Sequence, residues 1–434
     1  MIEVNSPPPA AGSGPLSRLR GMPMWKALGV RDFRLVWIGE SISVIGDQFY
    51  FVALPWLTLR LTGSAVALGT VLMASALPRA ALILFGGALT DRASPRLLML
   101  GSNALRAVLT GLLAALVLTG ADRLWELYVL GALFGTVDAL FYPAFDSIAP
   151  RLLEEERLGS GNALLQGSDQ FSSLLGPAIA GVIIATFSGD GIGIAFGFDA
   201  ISFAVAAVAL VLVKGGGRLA PVIESEGSGT SGAKASLVRE IVAGLSYAWK
   251  DPVLRVLLLV AAAASIAINS PLSVGLAVLA RNRFSSGAAA FGVMFTVFGA
   301  GALIGTIVAG TMQTPRRRGA TIIGLLLAFA AGLIAIALLP NLIVVSALLG
   351  LLGIGNGFVG VMLVTWMQLR TDPGMMGRVM SVLAFSQFGV APVSLVVAGA
   401  LAQYSVTFLF VAAGIVIGGV ALAATSSRPL RTFD

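Results

Sequence analysis

Twelve windows of roughly 20 apolar residues, each long enough for one bilayer crossing, follow one another along this chain and leave it few ways to fold. They run at 34–58, 66–89, 97–119, 126–146, 161–187, 192–213, 254–280, 287–312, 320–339, 341–367, 377–402 and 404–425, with polar breaks between them. The composition agrees: of 434 residues 57% are hydrophobic and 11% charged, and the mean hydropathy of +0.93 is far from that of a soluble domain. An even number of spans places both termini on one side.

The basic residues choose which side. With the termini in the cytoplasm, 21 of the 28 Lys and Arg fall on cytoplasmic segments. Four fall on outer loops (Arg60, Arg123, Arg281, Arg283) and three at or within spans (Arg79, Arg106, Arg255). This bias predicts a cell-membrane protein with both termini cytoplasmic. The net charge of +7 then reads as an orientation signal and a contact for anionic lipid, not a nucleic-acid footprint. Residues 1–33 run "PPPAAGSGP" into a basic stretch without an apolar core, so the first span is expected to be retained. The chain has neither cysteine nor histidine. Disulfides, thiolate chemistry and imidazole proton transfer are thereby removed.

The chain also repeats itself. Residues 214–236, "KGGGRLAPVIESEGSGTSGAKAS", read as a Gly- and Ser-rich linker between spans six and seven. After it, "LVREIVAGLSYAWK" puts Leu237, Val238, Ile241, Val242, Leu245 and Trp249 on one face of a helix expected to lie along the membrane surface. On either side the halves align, Gly69 with Gly292 and Gly87 with Gly310 at one offset of 223, and Gly181 with Gly399 at 218. The expected division is a terminal segment 1–33, a bundle 34–213, a linker with its surface helix 214–253, a bundle 254–425 and a tail 426–434. Two six-span halves of this kind imply a transporter with a central pathway between repeats.

At this point the motifs resemble the major facilitator superfamily. "GALTDRASPR" is similar to its signature loop between spans two and three: Gly87, Leu89, Asp91 and Arg92 match, Ser94 replaces the second glycine, and Arg96 supplies a trailing base. "LLGPAIAG" resembles the antiporter signature of the drug-efflux branches through Gly176, Pro177 and Gly181. "GALFGTVDALFYPAFDSIAPRLL" with "LGSGNALLQG" resembles the exporter group containing macrolide-efflux proteins and the enterobactin exporter. The resemblance implies an all-α membrane protein of twelve transmembrane helices in two pseudo-symmetric six-helix bundles. It also implies alternating access and export driven by proton entry, with no cofactor beyond the proton gradient. The expected partners are a small-molecule substrate, protons and the bilayer, and the expected state is a monomer.

Charges within the membrane are the first functional candidates, since each is costly unless paired or hydrated. The first half carries Glu40, Asp47, Arg79, Arg106, Asp138, Asp169 and Asp199, whereas the second has no charge at its span centres, only amides such as Asn269, Asn356 and Gln387. Ion coupling is therefore expected in the first half. At 1.5 Å per residue, Asp47 lies about 20 Å, Arg79 about 15 Å and Arg106 about 14 Å from the inner ends of their spans, and Asp138 about 18 Å from an outer end. These depths overlap near the midplane, where an aspartate switching between partnered and unpartnered states would load and release a proton. The superfamily lines its cavity with spans one, four, seven and ten, which makes Asp47 and Asp138 the leading coupling residues.

Each assignment has a plainer competitor. Arg106 and Asp138 on adjacent spans equally fit a buried structural pair, Arg79 fits a partner for a carboxylate or backbone, and Glu40 fits a proton exit or a snorkelling carboxylate. Gly176–Pro177 predicts a kink in span five; in the resembling antiporters it seals the bundle, while a packing notch is the alternative. "FGAGALIG" at 298–305 lies within a span and lacks the Lys-Ser/Thr of a nucleotide loop. Gln48, Phe49, Tyr50, Asn269, Asn356, Trp366, Phe385 and Gln387 are substrate-contact candidates for an apolar, sparsely polar cavity. No metal site and no enzymatic nucleophile–base pair is expected. Lipid flipping, or a receptor or scaffold on the same fold, remains the alternative to export of hydrophobic or amphiphilic molecules.

The resemblance also implies a conformational gate. The matching aspartate ties the halves together near the start of span eleven, which would set Asp91 beside Gly377 and Arg378, with Arg151 as an ionic partner. A local Asp91–Arg92 surface pair worth roughly 0–1 kcal/mol is the alternative.

Overall fold

The computed structural model describes residues 27–92, 94–187, 189–214, 245–311, 318–372, 375, 379, 382–383, 386 and 389–426. The side chains of 83–92, 155, 310–311, 318 and 368–369 are also left aside. Twelve helices cover most of the described residues: α1 Arg31–Thr62, α2 Ala65–Arg92, α3 Pro95–Thr119, α4 Leu124–Leu152, α5 Glu155–Thr186, α6 Gly191–Leu212, α7 Pro252–Arg283, α8 Ala288–Thr311, α9 Arg318–Leu338, α10 Leu342–Arg370, α11 Ala391–Tyr404 and α12 Val406–Ser426. Eleven of them contain a stretch long and apolar enough to cross a membrane; the described part of α11 is 14 residues.

Local chemistry sets the helix ends. α1 and α3 stop at Gly63 and Gly120, whose φ of 65° and 69° favours glycine. α7 and α10 start under side-chain caps, Asp251 accepting from the amides of Val253 and Leu254 and Asn341 from those of Ile343 and Val344. Pro271 cannot donate within α7, and there the helix loosens into π turns at Ser265–Asn269 and Pro271–Gly275. α2 runs through Asp91 to Arg92, so the signature motif expected as a loop is mostly the last turns of a helix.

The interior is mostly apolar, with a few polar groups turned into it. On α3, Leu105, Val108 and Leu112 are exposed, whereas Asn103, Arg106 and Thr110 on the opposite side are buried. This suits a lipid solvent, which removes the hydrophobic drive between helices and leaves packing and hydrogen bonds to hold them.

The halves pack alike. α2 lies on α4 and α3 on α6; correspondingly α8 lies on α10 and α9 on α12. Between halves, α2 meets α11 and α5 meets α8. Arg96 bonds the Leu210 and Val211 carbonyls, Lys214 N–H donates to Asp32, and Arg370 pairs with Asp251 at 2.9 Å. These contacts gather at the end carrying the linker, here called the linker face. Helix 245–250 lies there too, its Tyr247 hydroxyl 2.9 Å from Asp372, with Leu245 and Trp249 exposed. Residues 237–244 of the expected surface helix lie outside the described residues.

Candidate functional site

A cavity of about 520 Å³ lies between the halves. From the first half Asp47, Gln48, Tyr50, Ser75, Arg79 and Asp138 line it, and from the second Ser273, Phe295 and Phe298. Its α1 wall includes Asp47, Gln48, Tyr50, Phe51, Leu54 and Pro55, one side of the helix. Phe49 is turned away: it is 1% exposed and stacks on Phe198 at 4.5 Å, because a step of one or two residues along a helix rotates the side chain off the face.

Asp138 is the polar centre. Arg106 donates to its Oδ1 from α3, and Arg79 of α2 lies 3.5 Å from its Oδ2. The two arginines differ in environment. Arg106 is 1% exposed, with its guanidinium 4.0 Å from the Phe141 ring centroid and 5.4 Å from that of Phe203; the Arg79 side chain is 39% exposed. An aromatic face attracts a cation, most strongly where water is absent. Arg106 is thus fixed by its surroundings, while Arg79 reaches Asp138 from the cavity. Asp47 lines the same cavity without a salt bridge among the described residues. Glu40 is buried and accepts from Asn103 Nδ2 at 2.9 Å, so it does not snorkel to a surface.

Backbone contacts close the cavity on the side away from the linker face. A Cβ on Gly69 would lie 2.4 Å from the Leu395 carbonyl oxygen and 3.1 Å from Gly399 Cα. A Cβ on Gly292 would lie 2.2 Å from the Pro177 oxygen and 3.2 Å from Gly181 Cα. The two crossings are related by the sequence repeat. Three polar contacts accompany them: Ala65 N–H to Gln403 at 2.7 Å, Arg281 to the Leu59 carbonyl, and Ala178 N–H to Thr296 Oγ1 at 3.0 Å. In the last, the residue after Pro177 turns its amide toward α8. A Cβ on Gly176 would sit 2.5 Å from Gln48, so the antiporter motif is a three-helix contact of α1, α5 and α8 within a continuous α5.

The remaining candidates divide. Asn269 is exposed and Asn356 half-buried, both off the cavity wall, and Trp366 is 1% exposed beside Val260 and Ile322 within the second bundle. Arg151 is exposed and Arg96 bonds α6. Gly377, Arg378, Phe385 and Gln387 lie outside the described residues, as do the Asp91 and Arg92 side chains. The sequence reading passed over Thr296 and Gln403, which make the polar contacts at the two crossings, and Phe295 and Phe298, which line the cavity; for the first two, a polar residue one turn beyond an aligned glycine was the available signal.

A bundle pair of this topology around a cavity is the architecture of a membrane transporter. The sequence profile of the Major Facilitator Superfamily matches residues 36–395, and the chain belongs to that family. Among its relatives is the multidrug efflux pump Tap of Mycolicibacterium fortuitum, 26% identical over 86% of this chain and 91% of that one. Macrolide efflux protein A of Streptococcus pyogenes is 21% identical over 93% and 97%. The fold is shared with a bacterial homologue of the lysosomal transporter Spinster in an inward-facing, occupied conformation, at TM-score 0.68, 12% identity and 94% and 98% coverage. The transporter PepTSo gives 0.70, at 12% identity and 93% and 99% coverage.

Proposed function

We propose that this protein exports hydrophobic or amphiphilic small molecules across the cell membrane in exchange for protons, by alternating access, with the linker face cytoplasmic. The observation that carries the reading is Asp138 held between a fixed arginine and a cavity-reaching one. A proton arriving on the Asp138 carboxylate forms its O–H bond and weakens the hold on Arg79, while Arg106 stays in its aromatic surround. Asp47, a few helical turns from the closed side, is the second acid open to the cavity. Arg79 freed from Asp138 is then available to Asp47 or to substrate. The efflux relatives support the direction and the substrate class.

Asp91, with Gly377, Arg378 and Arg151, is proposed as the latch that holds the linker face shut when the opposite face opens, a reading that rests on the motif. It predicts that Asp91→Asn shifts the inward/outward distribution and slows transport. In inverted vesicles with an acid interior, ethidium uptake should exceed that with no gradient and fall in Asp138→Asn and Asp47→Asn. Full gradient-dependent uptake in the double variant would end the carboxylate assignment.

A further inference from the structure

We propose that Asp199 is a further proton-carrying carboxyl, seated in a notch of α1 behind the cavity wall and exchanging its proton with Asp47. The inference rests on the proton-coupled reading above and adds a residue that the cavity does not reveal.

Asp199 lies on α6 and is 0% exposed, and neither carboxyl oxygen has a hydrogen-bond partner among the described residues. Its seat is specific. A Cβ on Gly46 would lie 2.8 Å from Asp199 Oδ1 and 2.0 Å from Ser202 Oγ, so glycine leaves the room that the acid and the hydroxyl occupy. The next residue is Asp47, which lines the cavity. One turn of α1 thus carries a buried acid packed against it and an open acid attached to it.

The notch continues a line of buried polar groups toward the linker face. Glu40 and Ser43 precede Asp47 at helical spacing on α1, and Asn103, Arg106 and Thr110 repeat that spacing on α3, all of them buried. Asn103 joins the two rows through Glu40. The groups that bear on Asp199 are Asp47 and Tyr50 of α1, Arg106 of α3 and Asp138 of α4. Glu40 is farther along the α1 row. α5 also touches α6, and its one titratable residue beyond 157, Asp169, is exposed.

A carboxylate without partners in such surroundings is costly, by several kcal/mol, and packing alone would be served by a neutral side chain. A carboxyl kept there is one whose charge is used at intervals. In the transfer, the O–H bond on Asp199 breaks and one forms on the Asp47 carboxylate. The Asp199 carboxylate left behind is then favoured by the nearby positive charge of Arg106, and no other reactant is required.

Infrared spectra of the full-length protein in lipid bilayers, recorded through a pH titration in ordinary and heavy water, test this through the C=O stretch of protonated carboxyls. Wild type should show a titrating component that disappears in Asp199→Asn, and Asp47→Asn should displace its titration. A spectrum of Asp199→Asn identical to wild type would overturn the proposal. So would an Asp199 component indifferent both to pH and to Asp47→Asn, the behaviour of a purely structural acid. If Asp199→Asn does not fold, Gly46→Ala replaces it: crowding the notch should shift the component, and an unshifted one counts against the proposal. The readout requires no transported ligand. The expected spectra together with no gradient-driven ethidium uptake by wild type would refute coupled export while leaving the exchange between Asp199 and Asp47 standing.

Discussion

Gly69 of α2 and Gly399 of α11 meet backbone to backbone across the two halves, and Gly292 of α8 and Gly181 of α5 repeat the contact at the positions to which the sequence repeat assigns them. Both crossings close the same side of the cavity. No side chain can be added at Gly69 without moving the Leu395 carbonyl, which lies 2.4 Å from the site of a Cβ.

Gly69→Val should therefore open that side. Overpacking of roughly 1–3 kcal/mol acting on one state alone would shift the equilibrium between states about 5- to 150-fold. The chain has no cysteine, so a single thiol introduced at Ala65, 3% exposed at the same crossing, reports accessibility without background. Its labelling should rise in Gly69→Val, and unchanged labelling would show that the crossing does not govern closure.

The two arginines on Asp138 should separate under mutation. Removing Arg106 leaves a buried acid short of its fixed partner, a change that costs about 3–5 kcal/mol, whereas Arg79 is already 39% exposed. Arg106→Gln should lower the unfolding midpoint in detergent clearly. Arg79→Gln should leave the midpoint near wild type but reduce gradient-driven transport. Equal midpoints would mean that the aromatic surround adds nothing.

Thr296→Val removes the hydroxyl that accepts from the half-buried Ala178 amide, at nearly constant shape. Losing one hydrogen bond costs about 0.5–1.5 kcal/mol, and here the cost falls on the state in which α5 and α8 touch. Thr296→Ser should restore wild-type closure, measured as the distance between spin labels on α5 and α8. Failure of serine to rescue would assign the effect to the threonine methyl.

At the linker face, burial opposes ionisation of Asp251, but the amides of Leu254 and Val253 and the Arg370 guanidinium outweigh it and hold its carboxyl below the ordinary value. A depressed folded value contributes stability above the ordinary aspartate pKa of about 4 and loses it as pH falls through the lower folded value. Asp251→Asn should thus remove part of the decline in unfolding midpoint as pH falls below about 5. A decline as steep as wild type would rule out this cap as a contributor.

The helices could be read from the sequence because lipid imposes their length and polarity on each segment separately. Arg106 with Asp138 was accessible for a related reason: adjacent antiparallel spans bring matching depths together. Asp199 was legible as a charge within a span, but its seat against Gly46 was not, since α1 and α6 touch only after the intervening helices have packed, and nothing local announces the notch. Phe49 shows the limit within one helix, where knowing the depth left the facing direction open. Thr296 and Ala178 required two helices from different halves.

In the central parts of the spans the acids and arginines belong to α1–α6, and the second half is apolar there apart from amides and hydroxyls. Natural selection therefore meets two different materials in one chain. A substitution among Phe295, Phe298 or Ser273 reshapes the cavity wall without disturbing a charge, whereas one near Gly46 or Asp138 disturbs several charges at once. Descendants of this sequence should diverge unevenly, the second half drifting toward new cargoes while the interior of the first stays nearly fixed.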